Sequence, residues 1–420
     1  MAELSDPGTP FDTGVRGASA ILGGPPPFWS YSGLKELEAC PHRYVLSRAR
    51  YPEIWEGEGY PSLPSPASLF GDIVHDSLEV LVKALAKAGC GSLSADGAVN
   101  VLIGLGGISG VVRSVTERRL RRLDDNPRLS VDSMQRLTQR MEDRAEDARA
   151  QVQEFLCRMS FPANATTPPS TAETSPNSDG GPAFHRKAAC EGTHPEITLA
   201  AEDLRLMGRI DLLTVAESGA SIVDYKTGVP DPGHLEQVNL YALLWSLDRV
   251  VNPDHVPIAE LTVAYPNHDV RLAADDIDDL AGLEMSVRVR IDAADKLARG
   301  VPPVARPAPE VCAYCPVKGL CATYWATALP DPAGLADGTW FDFEGVVGPA
   351  NGVRSRWLLG PTGAKQLLLR TSPSAPALVE GDTVRLVGIR REVDPETAAT
   401  VAVMVSATEV LTSVHRLRES

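Results

Sequence analysis

The sequence predicts a mixed α/β core flanked by helices and followed by a small β-barrel, and three observations predict it. Short runs at 196–199, 204–207, 210–213 and 222–223 read as strands between turn residues. Longer patterns of helical period, Leu69 to Leu85 and Leu235 to Leu247, stand on either side of them. After Pro330-Asp331-Pro332 the character changes to short runs at 340–347, 356–359, 366–370, 383–390 and 400–405. Helices, strands, helix, strand and helix in that order make a layered α/β unit. Five strands packed into residues 338–414 make a barrel, with an OB-like fold as first choice.

Taken in order, residues 1–27 close on Gly23-Gly24-Pro25-Pro26-Pro27 and read as a disordered arm. The α/β unit is expected over 28–330. Its first long helix runs through Leu69, Leu78, Val82 and Leu85. Ala98 to Val112 is apolar but too short and glycine-rich to span a membrane. Arg113 to Arg158 is the most basic stretch: Arg118, Arg119, Arg121 and Arg122 crowd one turn, and Arg136, Arg140 and Arg144 recur at spacing four. That stripe could follow a phosphate backbone, or form a solvated face of ion pairs with the interspersed acids. Residues 162–183, rich in Pro, Ser, Thr, Asn and Gly, read as a flexible loop within the unit. Glu196 to Leu199 pairs with Leu204 to Met207, and Glu196 reads as a strand-edge carboxylate or a further acidic contributor. Leu261 to Tyr265 is a later strand, and Ile277 to Leu297 an amphipathic helix. The barrel is expected over 336–415, where Trp340, Phe343 and Trp357 could stack bases and Arg354, Arg356, Lys365 and Arg385 meet phosphates.

Asp211 and Asp224 each border a short apolar run, and Glu217-Ser218-Gly219-Ala220 joins the two runs as a hairpin. Side chains alternate along a strand, so Asp224 and Lys226 share a face. Two carboxylates and an ammonium on one surface are the equipment of metal-assisted phosphodiester hydrolysis. The carboxylates hold Mg²⁺ or Mn²⁺, bound water is acidified, and the lysine neutralises developing charge.

Upstream stands Leu69-Phe70-Gly71-Asp72-Ile73-Val74-His75; downstream, Gln237 and Tyr241 lie four apart on one helix face. The ordered string Gly71 to His75, Gly208-Arg209-Ile210-Asp211, Asp224 to Lys226 and Gln237 to Tyr241 resembles the RecB-like branch of the PD-(D/E)xK nucleases. The resemblance implies a restriction-endonuclease-like fold. His75, Asp211, Asp224 and the backbone carbonyl of Tyr225 would ligate metal, and Lys226 would be the catalytic lysine. Gln237 and Tyr241 would position the site, with Arg209, Gln237 and Tyr241 contacting nucleic acid.

The chain has seven cysteines. Cys312-x2-Cys315-x5-Cys321 has ligand spacing, and Pro307, Pro309 and Pro316 favour a knuckle around it. Cys40 lies in Ser30-Tyr31-Ser32-Gly33-Leu34 through Cys40-Pro41, a segment that resembles the start of RecB- and AddB-type nucleases carrying iron and sulfur. The resemblance implies a 4Fe–4S cluster on Cys40, Cys312, Cys315 and Cys321, stapling the ends of the nuclease unit. Structural Zn²⁺ is the alternative. Cys90, Cys157 and Cys190 have no partner spacing and read as buried thiols.

The net charge of −15 over 420 residues argues against indiscriminate nucleic-acid binding without excluding local basic surfaces. Met1 to Pro7 lacks the basic start and apolar run of a secretory signal, so a cytoplasmic, reducing location without membrane partners is expected. No P-loop occurs; Gly360 to Lys365 misplaces the lysine. The reading is a metal-dependent DNA nuclease, an exonuclease on single-stranded or end-containing DNA in repair or recombination. Its partners would be DNA and a helicase or other repair protein. A catalytically idle DNA-binding scaffold subunit and a restriction-type endonuclease are the competing readings.

Overall fold

The computed structural model describes residues 10–162, 186–273, 279–327, 329–360, 365–372, 377–394, 399–405 and 407–412. The loop expected over 162–183 lies outside them from residue 163 onward, as do residues 361–364.

Residues 10–27 depart from the expected disordered arm. Strands β1 (Pro10–Phe11) and β2 (Ala20–Ile21) pair as a small hairpin, and Val15, Ala18, Ala20 and Leu22 are buried in the main core. Those few apolar side chains find a surface to cover, and that outweighs the local glycine and proline content. Helices α1 (Tyr31–Ala39) and α2 (Pro41–Arg48) follow, joined at Cys40. Ser30 caps α1 by accepting the Gly33 N–H.

Helix α3 (Pro66–Lys87) starts at a Ser65 cap and carries an apolar stripe from Leu69 to Leu85. Helices α4 (Ala98–Gly104), α5 (Gly107–Arg121), α6 (Val131–Asp143) and α7 (Ala145–Arg158) build a second apolar layer against it. By length and composition Ala98–Arg121 is long and apolar enough to cross a membrane, contrary to expectation. In the fold it is two helices broken at Gly106 and Gly107, whose φ values are 81° and 75°. Val111, Val112 and Val115 of α5 are buried beside α3. The basic stripe is internally neutralised in part: Arg118 and Arg119 both bond Asp76, and the Arg144 guanidinium lies 3.7 Å from the Phe70 ring centre.

The central sheet contains β3 (Gly192–Ala201), β4 (Leu206–Ala216), β5 (Gly219–Tyr225), β6 (Ile258–Ala264) and β7 (Asp269–Ala273), in that spatial order. Only β5 and β6 run parallel, because helix α8 (Pro232–Leu247) crosses between them. One face of the sheet packs on α3, α5 and α7, and the other on α8, α1, α2 and α9 (Leu280–Ala298). This is the mixed sheet flanked by helices that the sequence predicts. Cys312 ends a short helix, α10 (Pro309–Cys312), and Cys321 precedes α11 (Ala322–Ala326).

Strands β8 (Trp340–Ala350), β9 (Ser355–Leu359), β10 (Lys365–Arg370), β11 (Thr383–Glu392) and β12 (Val401–Val403) close into a five-stranded barrel in the order β10-β9-β8-β11-β12. The closure between β12 and β10 is parallel. A further strand not foreseen in the sequence, β13 (Glu409–Thr412), adds to β11. The barrel is seated on the knuckle between Cys315 and Cys321. Leu411 packs on Gly319, the Arg385 guanidinium donates to the Gly319 carbonyl at 2.9 Å, and Lys318 pairs with Asp342 at 2.8 Å. Arg385 and Phe343 are therefore buried, at 4% and 5% exposure, rather than offered to nucleic acid. Trp340 remains 57% exposed.

Candidate active site

The site forms where β4 and β5 meet the inner ends of α3 and α8. Leu212 pairs with Val223, and continuing that antiparallel register by one residue sets Asp211 opposite Asp224. The Tyr225 N–H donates to Asp211 Oδ2 at 2.7 Å, which fixes one carboxylate oxygen on the backbone of the neighbouring strand. From α3, His75 Nδ1 comes within 3.5 Å of Asp211 Oδ1. Gly71 lets the helix approach that closely: a Cβ there would stand 3.0 Å from the Thr227 hydroxyl.

Glu196 on β3 completes a group of three. One ligand atom each from His75, Glu196 and Asp211 lies within 4.8 Å of the others. Glu196 has φ 58°, a left-handed conformation uncommon outside glycine and often found where a functional side chain is aimed. Burial first, then the Asp211 charge, pushes the Glu196 carboxyl up to about 7. His75 is depressed by burial, but its hydrogen bond to Asp211 and the charges of Asp211, Asp224 and Glu196 outweigh this and raise it above the usual imidazole value. Each shift records a crowd of negative charge with little water around it.

Asp224 is 2% exposed, and burial followed by Asp211 repulsion raises its pKa to about 6 despite Lys226. Its Oδ2 lies 2.7 Å from Lys226 Nζ yet accepts no well-directed hydrogen bond. Lys226 Nζ also donates to Gln237 Oε1 at 2.9 Å, and Gln237 Nε2 donates to the Tyr241 hydroxyl at 2.6 Å. The chain Asp224, Lys226, Gln237, Tyr241 thus crosses from sheet to helix in consecutive contacts. A cluster of hard carboxylate oxygens, one imidazole and an under-used buried carboxylate oxygen fits a divalent cation such as Mg²⁺ or Mn²⁺.

Two expectations change. Tyr241 is 6% exposed, so it reaches Gln237 and not nucleic acid. Arg209 is open to solvent but is held by Glu196 at 2.5 Å and lies 3.7 Å from Glu79. The structure brings together His75, Asp211, Asp224, Tyr225, Lys226, Gln237 and Tyr241 as the family resemblance implies. It adds Glu196 as a full member, where a strand-edge role was the first reading. No spacing marks Glu196 in the sequence; its position directly across from Asp211 is the signal, and that depends on register.

At the far end of the unit, burial followed by the neighbouring thiols pushes Cys315 up to about 11, and Cys40 and Cys321 contribute to that shift. Burial also raises Cys321, with Cys40 and Cys312 adding. The four cysteines picked out by spacing therefore share one neighbourhood. Among the described residues no three of these sulfurs come within 4.8 Å of one another. Cys90 is buried as expected, whereas Cys157 and Cys190 are exposed.

A search of curated proteins returns no match. Among solved structures, a chain described as "Crystal structure of SSO0001" is 16% identical, with a TM-score of 0.20 over 31% of this chain. The match spans 60% of that chain's length. Residues 28–322 match the family model of the PD-(D/E)XK nuclease superfamily. With that match over most of its length, the chain belongs to the PD-(D/E)XK nuclease superfamily.

Proposed function

We propose that the protein is a RecB-like, Mg²⁺- or Mn²⁺-dependent deoxyribonuclease acting on single-stranded or end-containing DNA in repair or recombination. The observation that carries this reading is the position of Lys226, 2.7 Å from Asp224 and 2.9 Å from Gln237, beside the cluster of His75, Asp211 and Glu196. His75, Asp211 and Asp224, with the Tyr225 carbonyl and Glu196, would hold the cation. When bound there, it acidifies water and offsets charge on the phosphate. Asp211 is oriented by the Tyr225 N–H, so its other oxygen, which faces His75, is directed before any ligand arrives. Lys226 lies against Asp224 and is aimed by Gln237; its ammonium neutralises the charge that builds on the phosphoryl oxygens. Tyr241 fixes the Gln237 amide from behind.

We further read Cys40, Cys312, Cys315 and Cys321 as ligands of a 4Fe–4S cluster. What supports this is that Cys40, Cys312, Cys315 and Cys321 lie close enough for their thiols to act on one another electrostatically; four thiolates would also satisfy a structural Zn²⁺. The unit over 28–330 then carries all the chemistry, and the barrel over 336–415 is OB-like, with exposed Trp340 available for stacking. A helicase or other repair protein fits as partner, and the cytoplasm as location. The deciding experiment incubates purified protein with end-labelled linear and circular DNA, single- and double-stranded, with Mg²⁺, Mn²⁺ or chelator. Metal-dependent shortening of linear substrates supports the reading; no cleavage of any substrate under any metal removes it.

A further inference from the structure

The active-site stripe of α8 extends past Gln237. Tyr241, Gln237 and His234 follow one another at spacings of four and three, so they share a face, and His234 stands about 4.5 Å further along the axis than Gln237. Its ring is held in one state. His234 Nδ1 accepts the Asp231 backbone N–H at 3.3 Å and lies 2.8 Å from the Tyr265 hydroxyl. A ring nitrogen that accepts a backbone N–H carries no proton, so Tyr265 donates to it as well and the proton of the neutral ring resides on Nε2. Burial, then the charge of Lys226, lowers the His234 pKa and keeps the ring neutral.

The orienting group is itself fixed to the site. Tyr265 is 3% exposed, stacks on His268 with ring centres 5.0 Å apart, and its carbonyl accepts from Arg158. The preceding residue, Ala264, accepts the Lys226 N–H through its carbonyl at 2.8 Å. One strand end therefore places both the lysine and the hydroxyl that orients His234. On the other side, Tyr31 braces the first turn of α8 by donating to the Gly233 carbonyl at 2.8 Å and to Glu236 at 2.9 Å. A neutral donor is thus fixed beside Lys226 with no partner on its Nε2 among the described contacts.

We propose that Nε2–H of His234 donates a hydrogen bond to a phosphate oxygen of the bound strand next to the phosphate under attack, making His234 a substrate-positioning residue. This rests on the nuclease reading above. The contact is neutral, so it orients the strand without adding to counterion release.

The test measures cleavage and Ca²⁺-supported binding of end-labelled DNA carrying one neutral methylphosphonate at each phosphate flanking the cut, in turn. His234→Ala should raise KM about tenfold, the size of one hydrogen bond to a charged group, with a much smaller change in kcat. The slope of log Kd against log salt should not move. His234→Gln, which keeps an N–H donor at similar reach, should recover most of the loss, and Tyr265→Phe should lose a smaller part. A methylphosphonate at one flanking position should weaken wild type about tenfold and His234→Ala hardly at all. Equal losses in both proteins, binding by His234→Ala within twofold of wild type, or a fall in kcat that His234→Gln does not restore would overturn the proposal. Failure of wild type to cleave any unmodified DNA would instead remove the nuclease reading beneath it.

Discussion

Gly208 lies so close to Tyr241 that a Cβ on the glycine would stand 2.8 Å from Tyr241 Cε1 and 2.9 Å from Leu244 Cδ1. The helix that carries Gln237 therefore rests directly on the strand that carries Asp211. The glycine of Gly-Arg-Ile-Asp is a packing requirement, as Gly71 is for α3. Gly208→Ala should push α8 outward and cost about 1–3 kcal/mol, the range for overpacking a filled core. Chemical denaturation should show a lower midpoint, and cleavage should fall as Gln237 loses its reach to Lys226. An unchanged midpoint would contradict this packing.

Glu196, pushed up to about 7, and His75, raised above 6.5, both hold protons more tightly in the fold than in the unfolded chain. For Glu196 the sign is that of a carboxyl disfavoured when charged: the metal-free protein loses stability as pH rises from 4.5 through about 7. His75 contributes in the same direction, since its stabilisation is full below 6.5 and is lost as pH passes its raised value. A cation must displace these protons. Mn²⁺ affinity should rise between pH 6 and pH 8, with net proton release in calorimetry across buffers of different ionisation heat. Glu196→Gln should flatten the rise; a pH-independent affinity in wild type would count against Glu196 as a ligand.

The barrel is joined to the nuclease unit by more than a linker. Arg128 pairs with Glu409 at 2.6 Å, Arg16 N–H bonds the Thr412 carbonyl at 2.9 Å, and Leu411 belongs to the main core. A chain ending at residue 330 should fold less stably than the full chain. Glu409→Ala, which leaves the mostly buried Arg128 only the Pro61 carbonyl and the Tyr60 ring among the described residues, should cost about 1.5–3 kcal/mol, the range for hydrogen bonds to a charged group. Thermal unfolding of both variants checks this, and a truncated chain as stable as the whole would show the docking to be incidental.

Protein purified without oxygen should be brown, with absorbance from thiolate-bound iron and sulfur. Cys40→Ser and Cys315→Ser should bleach it and destabilise it to a similar degree, because either opens the same link between α1 and the knuckle. Colourless protein with stoichiometric zinc would assign the four thiols to Zn²⁺.

What the sequence reveals here follows from distance along the chain. Strand and helix periods place Asp224 with Lys226, and Gln237 with Tyr241, each pair on one face; that the two faces meet in one site is what the resemblance to RecB-like nucleases implies. Glu196 is not legible in either way, since its role depends on the register of β3 against β4 and on a left-handed backbone at one residue. The burial of residues 10–27 is invisible locally, because Val15, Ala20 and Leu22 are covered by partners far along the chain. The barrel strands are legible from their alternation, but Arg385 looks like a surface cation until Glu344 and the Gly319 carbonyl enclose it. Arg118 and Arg119 mislead in the same way, their charge being taken up by Asp76 on another helix.

On the proposed reading Lys226 neutralises charge on the phosphate and is more than the ion-pair partner of Asp224. The most direct measurement is the single-turnover rate of cleavage of end-labelled linear DNA by wild type and Lys226→Ala, at equal Mg²⁺ or Mn²⁺ and with DNA binding and unfolding midpoint measured alongside. Removing the ammonium should slow the chemical step on the order of 10²- to 10³-fold while DNA stays bound and the fold persists. A folded Lys226→Ala protein that cleaves at the wild-type rate would contradict the account.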